Sequence, residues 1–268
     1  MKKNILVFCA SIIILGFMAF GLVQRESSEP SKLNIPDTLN LASNQGPSQN
    51  VDFRFFADFI YDVGPRFGPI KKGDLNKVTS FSDLMEDDDA KQILTYKFVE
   101  VIIIENDKET TTREAGNSAE LTVAQVNLLR SSDYSTNLKI RADVIQKNRQ
   151  TGEPEDNYWT PHLTIVPEKQ AVYVNGKDSL MEFLREKSKE SWVNVVEGKL
   201  QPARLYFTVT KNGTIENVTL DSSSNFPEVD IRMIELINQT PGKWQPAENA
   251  NGEKVDQELV LFFGLMGC

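Results

Sequence analysis

His162 is the single histidine of this 268-residue chain, and Cys9 and Cys268 are its two cysteines. Zinc sites of the usual kind draw three or four ligands from Cys, His and carboxylate groups at short spacings. Neither cysteine has a histidine or a second cysteine near it in the sequence. His162 lies in Tyr158-Trp159-Thr160-Pro161-His162-Leu163-Thr164-Ile165, with no Cys, Ser or carboxylate neighbour to make a nucleophile–base pair, and reads as structural. Carboxylates are abundant, and the run Glu86-Asp87-Asp88-Asp89 is the densest. It lacks the spaced oxygen ligands and tight-turn glycine of a calcium loop, and reads as a solvated loop. Nothing pairs two carboxylates as a glycosidase would. The chain therefore reads as no enzyme, without cofactor or metal; an exported hydrolase is the enzymatic alternative, at a low prior.

The charge balance is acidic, with 38 Asp and Glu against 29 Lys and Arg and a net charge of −9. Nucleic acid is excluded as a partner, because phosphate binding calls for a basic surface. At 40% hydrophobic and 25% charged residues, the composition is that of a folding chain. Residues 5–23 carry no charge and as a helix would span about 28 Å, close to the ~30 Å of bilayer hydrocarbon. Lys2 and Lys3 precede them, which keeps the amino terminus in the cytoplasm and exports the rest. Residues 1–24 are thus expected to be an anchor, uncleaved for want of a clear small-x-small site. Cleavage near Ala19 to Gly21 is the second reading, and Val7-Phe8 speak against a lipid on Cys9. Cys9 in the span and Cys268 at the end cannot pair within one molecule, so the fold must stand on hydrophobic cores. Residues 25–50, rich in Ser, Asn, Pro and Glu, read as a flexible tether.

The remainder reads as α+β in two parts, an uncharacterised exported module over 51–163 and a second unit over 164–268. In the first, strands are expected at 51–63, 93–105, 137–147 and 158–166, and helices at 75–85 and 122–130. Thr122 and Gln125 have capping-box spacing. In the second, Ser179 and Glu182 suggest another capping box, opening a helix that buries Leu180, Phe183 and Leu184. A strand at 204–209 is followed by an Asn212-Gly213 turn and a return strand at 215–220. A helix capped by Ser224 or Asn225, with Pro227 in its first turn, carries Val229, Met233, Ile234 and Ile237 at helical spacing. A last strand covers 255–265.

These residues carry a resemblance. Phe207-Thr-Val-Thr-Lys-Asn212-Gly213-Thr-Ile-Glu-Asn-Val218, then a helix, then Trp244-Gln-Pro246-Ala247, Asn251-Gly-Glu-Lys-Val255 and a terminal strand resemble the carboxy-terminal domain of TonB energy transducers. The lead-in from Pro167 through Asn175-Gly176 to Phe183-Leu184 is similar to that of Bacteroidetes-type members. The resemblance spans roughly residues 165–268. It implies a three-stranded antiparallel sheet packed on helices, held in the periplasm by a single inner-membrane span. It also implies a partner, an outer-membrane TonB-dependent receptor whose short segment pairs with a sheet edge. Backbone bonds would give such a contact affinity, and alternate side chains selectivity.

Carried over by position, the docking edge is the last strand, with Val255, Gln257, Glu258, Leu259, Leu261 and Phe263, where Gln257 and Glu258 are the polar selectors. Asn212, Gly213, Trp244, Pro246 and Ala247 are the family motif. They could shape the receptor face, but Trp244 packing over the sheet is the weightier reading.

Two departures bear on energy coupling. Family anchors use a Ser and a His in the membrane helix to engage inner-membrane proton-motive motor proteins, whereas this helix has Ser11 and no histidine. The long proline-rich spacer is also missing. Receptor binding in support of energy-dependent transport is the leading expectation; the alternative is a periplasmic protein-binding or sensing adaptor without energy transduction. Sequons at Asn212, Asn217 and Asn238 would suit a secreted glycoprotein, but chance at turns explains them as well.

Overall fold

The computed structural model describes residues 59–196, 198–240 and 243–265; the expected anchor, the tether, Cys9 and Cys268 lie outside them. No helix among the described residues is long and apolar enough to cross a membrane. The architecture is α+β, with far more strand than helix.

The first two strands go to different sheets. β1 (Ile60–Gly64) joins the carboxy-terminal sheet, and β2 (Gly68–Lys71) runs parallel to β7 (His162–Val166) in the other. α1 (Lys72–Leu75), a 3-10 turn at Phe81–Leu84 and α2 (Asp87–Ala90) follow, where one helix over 75–85 was expected. Leu75 and Phe81 are both fully buried, and six positions apart on one helix they would point about 120° away from each other. The chain restarts instead at Ser80, whose hydroxyl accepts the Ser82 N–H while the Asp83 carboxylate accepts the Ser80 N–H. The acidic run is a short exposed turn of helix rather than a loop.

β3 (Ile93–Glu105) turns at Asn106-Asp107 into β4 (Lys108–Gly116), and α3 (Val123–Ser131), β5 (Asn137–Lys147), β6 (Pro154–Trp159) and β7 complete the module. Its sheet runs β2-β7-β5-β3-β4, with β6 on the rest of β5. The strand expected over 158–166 is two, broken at Thr160-Pro161. Pro161 has no N–H for a ladder, and its carbonyl accepts the Ile140 N–H at 3.0 Å. The Thr122–Gln125 capping box is present, and Gln125 Nε2 also donates to the buried Val99 carbonyl at 2.9 Å.

The carboxy-terminal part comprises β8 (Val172–Tyr173), α4 (Lys177–Ser188), β9 (Ala203–Val209), β10 (Ile215–Ser222), α5 (Pro227–Asn238), β11 (Trp244–Gln245), β12 (Ala247–Glu248), β13 (Lys254–Val255) and β14 (Gln257–Gly264). α4 begins after Gly176, two residues before Ser179, so the expected Ser179–Glu182 box does not form. Neither Ser224 nor Asn225 is the cap of α5. Phe226 holds that position, Pro227 is N1, and Asp230 from within the helix accepts the Ser224 N–H at 2.9 Å.

Two hydrophobic cores result. One gathers Leu75, Phe81, Val99, Val101, Leu129, Leu138, Ile140 and Ile165. The other gathers Leu180, Leu184, Leu205, Phe207, Val229, Met233, Leu259, Leu261 and Phe263, and it takes in Phe59 from the start of the described chain. Sequence placed 51–163 in one unit, but residues 59–64 serve the second core, and the change of core falls between Ile165 and Ala171.

Candidate functional site

The strand expected to dock a partner is paired on both sides from Val260 to Phe263. The carboxy-terminal sheet runs β1-β14-β9-β10. β14 pairs with β9 from Gln257 to Phe263 and with β1 from Val260 to Gly264, both antiparallel. Leu259, Leu261 and Phe263 are core residues at 3% exposure or less. Val255 lies in β13, paired with Ala247 of β12. Gln257 is no selector: it is buried, accepts the Ala171 N–H at 2.7 Å and donates to Gln170 at 3.1 Å, which ties the lead-in loop to the sheet. Of the expected docking residues only Glu258 stays exposed.

β1 takes the edge because its alternate residues have somewhere to go. Phe59 stacks edge-on against Trp192, ring centroids 3.7 Å apart, and Tyr61 bonds Ser188 at 2.7 Å. Burial pushes the Tyr61 phenol up to about 12. Sequence reading recognised residues 51–63 as strand-like, but no local pattern says which of two sheets a strand joins.

The Asn212-Gly213 and Trp244-Pro246-Ala247 stretches meet in one joint. Thr210 to Gly213 is a turn in which only Gly213 is left-handed, at φ +78°. It is therefore not the two-residue hairpin that Asn-Gly suggests, which needs positive φ at both central residues. A Cβ on Gly213 would sit 2.5 Å from the Trp244 carbonyl oxygen and 3.9 Å from Pro246. Trp244 is buried, donates its indole N–H to Thr240 at 2.9 Å and packs against Phe207 and Tyr173. Ala247 is fully buried, and Asn212 is exposed. Trp244, Pro246, Ala247 and Gly213 thus hold the strands together, in keeping with the packing reading of Trp244.

A cleft of about 840 Å³ opens where the outer face of the β14-β9-β10 sheet meets the first module. Tyr206 from β9, Thr219 and Asp221 from β10 and Glu258 from β14 form one wall. Glu105 and Asn106 at the β3–β4 turn, and residues 134–137 ahead of β5, form the other. Three non-glycine residues with left-handed backbone, Asn106, Ser135 and Asn217, line it. One end is closed by an ionic chain. Asp107 accepts two hydrogen bonds from Arg66, each 3.0 Å, and one from Arg204 at 2.6 Å, while Arg204 also donates to Asp221. The Arg66 hydrogen bonds, with the charges of Arg66 and Arg204, hold the Asp107 carboxyl below its ordinary range. Across the cleft the Glu258 N–H donates to Ser135 Oγ at 3.0 Å. Burial raises the Glu258 carboxyl and the Tyr206 phenol, the latter raised also by Asp107. Segments more than a hundred positions apart build this cleft, and no motif in the sequence announced it.

His162 is exposed at the start of β7, its ring 5.2 Å from that of Phe67. No group of three or more His, Cys, Asp or Glu among the described residues is placed to hold a metal ion. Comparison of the chain with protein-family models, with curated proteins and with solved structures finds no match.

Proposed function

We propose that the chain is a membrane-anchored, periplasmic binding protein whose carboxy-terminal part works as a TonB-type domain. It takes an extended segment of an outer-membrane receptor onto the edge of its sheet and so supports energy-dependent uptake. The observation that carries this reading is the arrangement of β14, β9 and β10 on α4 and α5, in the chain order helix, hairpin, helix, strand. Because β1 covers β14, the edge offered is that of β10, which pairs only with β9 among the described residues. β10 is bulged between Glu216 and Thr219 and again between Leu220 and Ser222, a device that deters indiscriminate pairing and leaves only short regular stretches for a partner strand.

The missing histidine in the apolar segment beside Ser11 favours a second reading, an adaptor that binds periplasmic proteins without transducing energy. Photo-crosslinking residues placed at Glu216 and Thr219 in cells test both. An outer-membrane receptor trapped from these positions, with loss of large-nutrient uptake on deletion, supports the proposal. Crosslinks confined to inner-membrane or cell-wall partners transfer support to the adaptor.

A further inference from the structure

The composition of the cleft sorts the ligands it can take. Its walls carry Glu105, Asp221 and Glu258, and no lysine, arginine or histidine. Asp221 is already satisfied by Arg204. Glu258 is not: among the described residues no cation or donor reaches its carboxylate, and only its backbone N–H is engaged. Arg66 and Arg204 converge on Asp107, and Lys72 donates to the carbonyls of Arg130 and Ser132 at the end of α3.

Glu258 is exposed and carries no bound counter-ion, so a cation entering the cleft would gain a charge-assisted contact without displacing one already made. Two aromatic faces are at hand. Tyr206 has a hydroxyl that makes no hydrogen bond among the described residues, and Tyr134 donates weakly to Glu168 at 3.4 Å. Tyrosine faces attract cations through the ring quadrupole. A bare divalent ion would need six or more oxygen ligands, which these walls do not converge to supply. The volume of about 840 Å³ lies within the roughly 300–1,000 Å³ of small-molecule sites.

We propose that this cleft is a binding site for a small organic cation bearing an ammonium or guanidinium group, with Glu258 as its counter-charge and Tyr134 and Tyr206 as its aromatic walls. Thr219 and Asn137 also line the cleft, with Thr219 Oγ1 donating to the Asn217 carbonyl and Asn137 Oδ1 accepting from Thr164. The cleft borders β10 through Thr219, Leu220 and Asp221, but its ligand is recognised by side chains rather than by the backbone edge of that strand, so the proposal does not rest on the receptor reading.

The test uses the full-length chain in detergent, titrated with benzylammonium, agmatine, benzyl alcohol and N,N′-diacetylchitobiose, with binding followed by calorimetry and saturation-transfer NMR. Benzylammonium should bind about tenfold more tightly than benzyl alcohol, the worth of one charge-assisted contact. Glu258→Gln should erase that preference, whereas Glu182→Gln, which removes an equal charge from an exposed position of α4, should leave it within about twofold. Tyr206→Leu should weaken both amines roughly threefold or more. Equal binding of the alcohol and the ammonium, a preference for the saccharide, or a preference that survives in folded Glu258→Gln overturns the proposal. Should Glu258→Gln fail to fold, the ranking on the unaltered chain together with Tyr206→Leu decides it.

Discussion

Gly213→Ala and Gly252→Ala form a matched pair of perturbations. Both glycines close turns of one design: Thr210 and Asn249 each accept the N–H of the glycine three positions on and donate to the carbonyl one further. Their φ angles are +78° and +76°. An alanine at either position must adopt a left-handed conformation, at a cost of about 1–2 kcal/mol. There the likeness ends. At Gly252 a Cβ meets nothing within 4 Å, while at Gly213 it meets the Trp244 carbonyl oxygen at 2.5 Å. That oxygen belongs to β11, which is paired to β8, so it cannot swing aside as a side chain would. Forcing atoms into a packed site costs about 1–3 kcal/mol. Gly213→Ala should therefore lose that amount beyond Gly252→Ala. At about 2–4 °C per kcal/mol for a unit of this size, the gap in melting temperature is roughly 2–12 °C. Thermal and urea unfolding by circular dichroism read it directly. Asn212→Ala, at the exposed neighbour, should stay within about 0.5 kcal/mol of the parent. Equal losses for the two glycine variants would refute the claim that the Asn-Gly and Trp-x-Pro-Ala stretches form one rigid joint.

Two further perturbations address the ionic chain and the added strand. The Asp107 carboxyl is held low by Arg66, so its contribution exists above the ordinary carboxylate range and fades as pH falls through the depressed value. Asp107→Asn should cost about 0.5–1 kcal/mol at neutral pH and low salt, allowing for its partial exposure, and should flatten the acid limb of a stability-versus-pH curve; parallel acid limbs would contradict this. Phe59→Ala removes a ring that is 8% exposed and set against Trp192, and should cost about 3 kcal/mol or more. Amide exchange should then quicken along 260–264, the part of β14 that β1 covers; acceleration confined to β3 and β5 would place Phe59 in the wrong core.

Much of the element inventory was legible from local pattern. β3 and β5 run over the residues that their apolar content picked out, because a strand with β-branched residues on a buried face writes its own period. α3 is framed by a capping box that satisfies two backbone donors at its amino end, the N–H groups of Thr122 and Gln125. β4 was missed because Lys108–Gly116 reads KETTTREAG: an edge strand with little to bury carries no apolar alternation. The Asn106-Asp107 turn before it, left-handed at both residues, was the available signal. The docking edge was misplaced for a different reason. The charged opening of the last strand, Glu253 to Glu258, is what an exposed margin would carry, but Glu253 to Asp256 belong to the β12–β13 hairpin and its exit, and Glu258 is the one charged residue of the run within β14. From Leu259 onward the strand is apolar on both faces, with Val260 1% exposed, and that is the mark of a central strand. The cleft left no trace in the sequence, since Tyr134, Tyr206 and Glu258 are brought together only by the meeting of two sheets.

The burial of Val260 explains why a cleft exists at all. Leu259, Leu261 and Phe263 face the carboxy-terminal core, so Val260, Phe262 and Glu258 must point out of the opposite face of the sheet. An isolated three-stranded domain would leave that face to water. Here β1 and β2, separated only by residues 65–67, enter the two sheets one after the other and draw the first module over it. The cover is tight where Arg66 lies over the rings of Phe67 and Phe262, at 4.5 and 5.9 Å, and where Asp107 clamps Arg204. It stays open towards Tyr206, Thr219 and Glu258, which are the more polar residues of the same face. The closed end is sealed by the Phe262 ring together with the Arg66–Asp107–Arg204 ionic chain, which satisfies its own charges, whereas Tyr206, Thr219 and Glu258 have no such cover. The cleft thus follows from where the ionic chain and the Phe262 ring meet the first module, with the β1–β2 crossover fixing which end is closed.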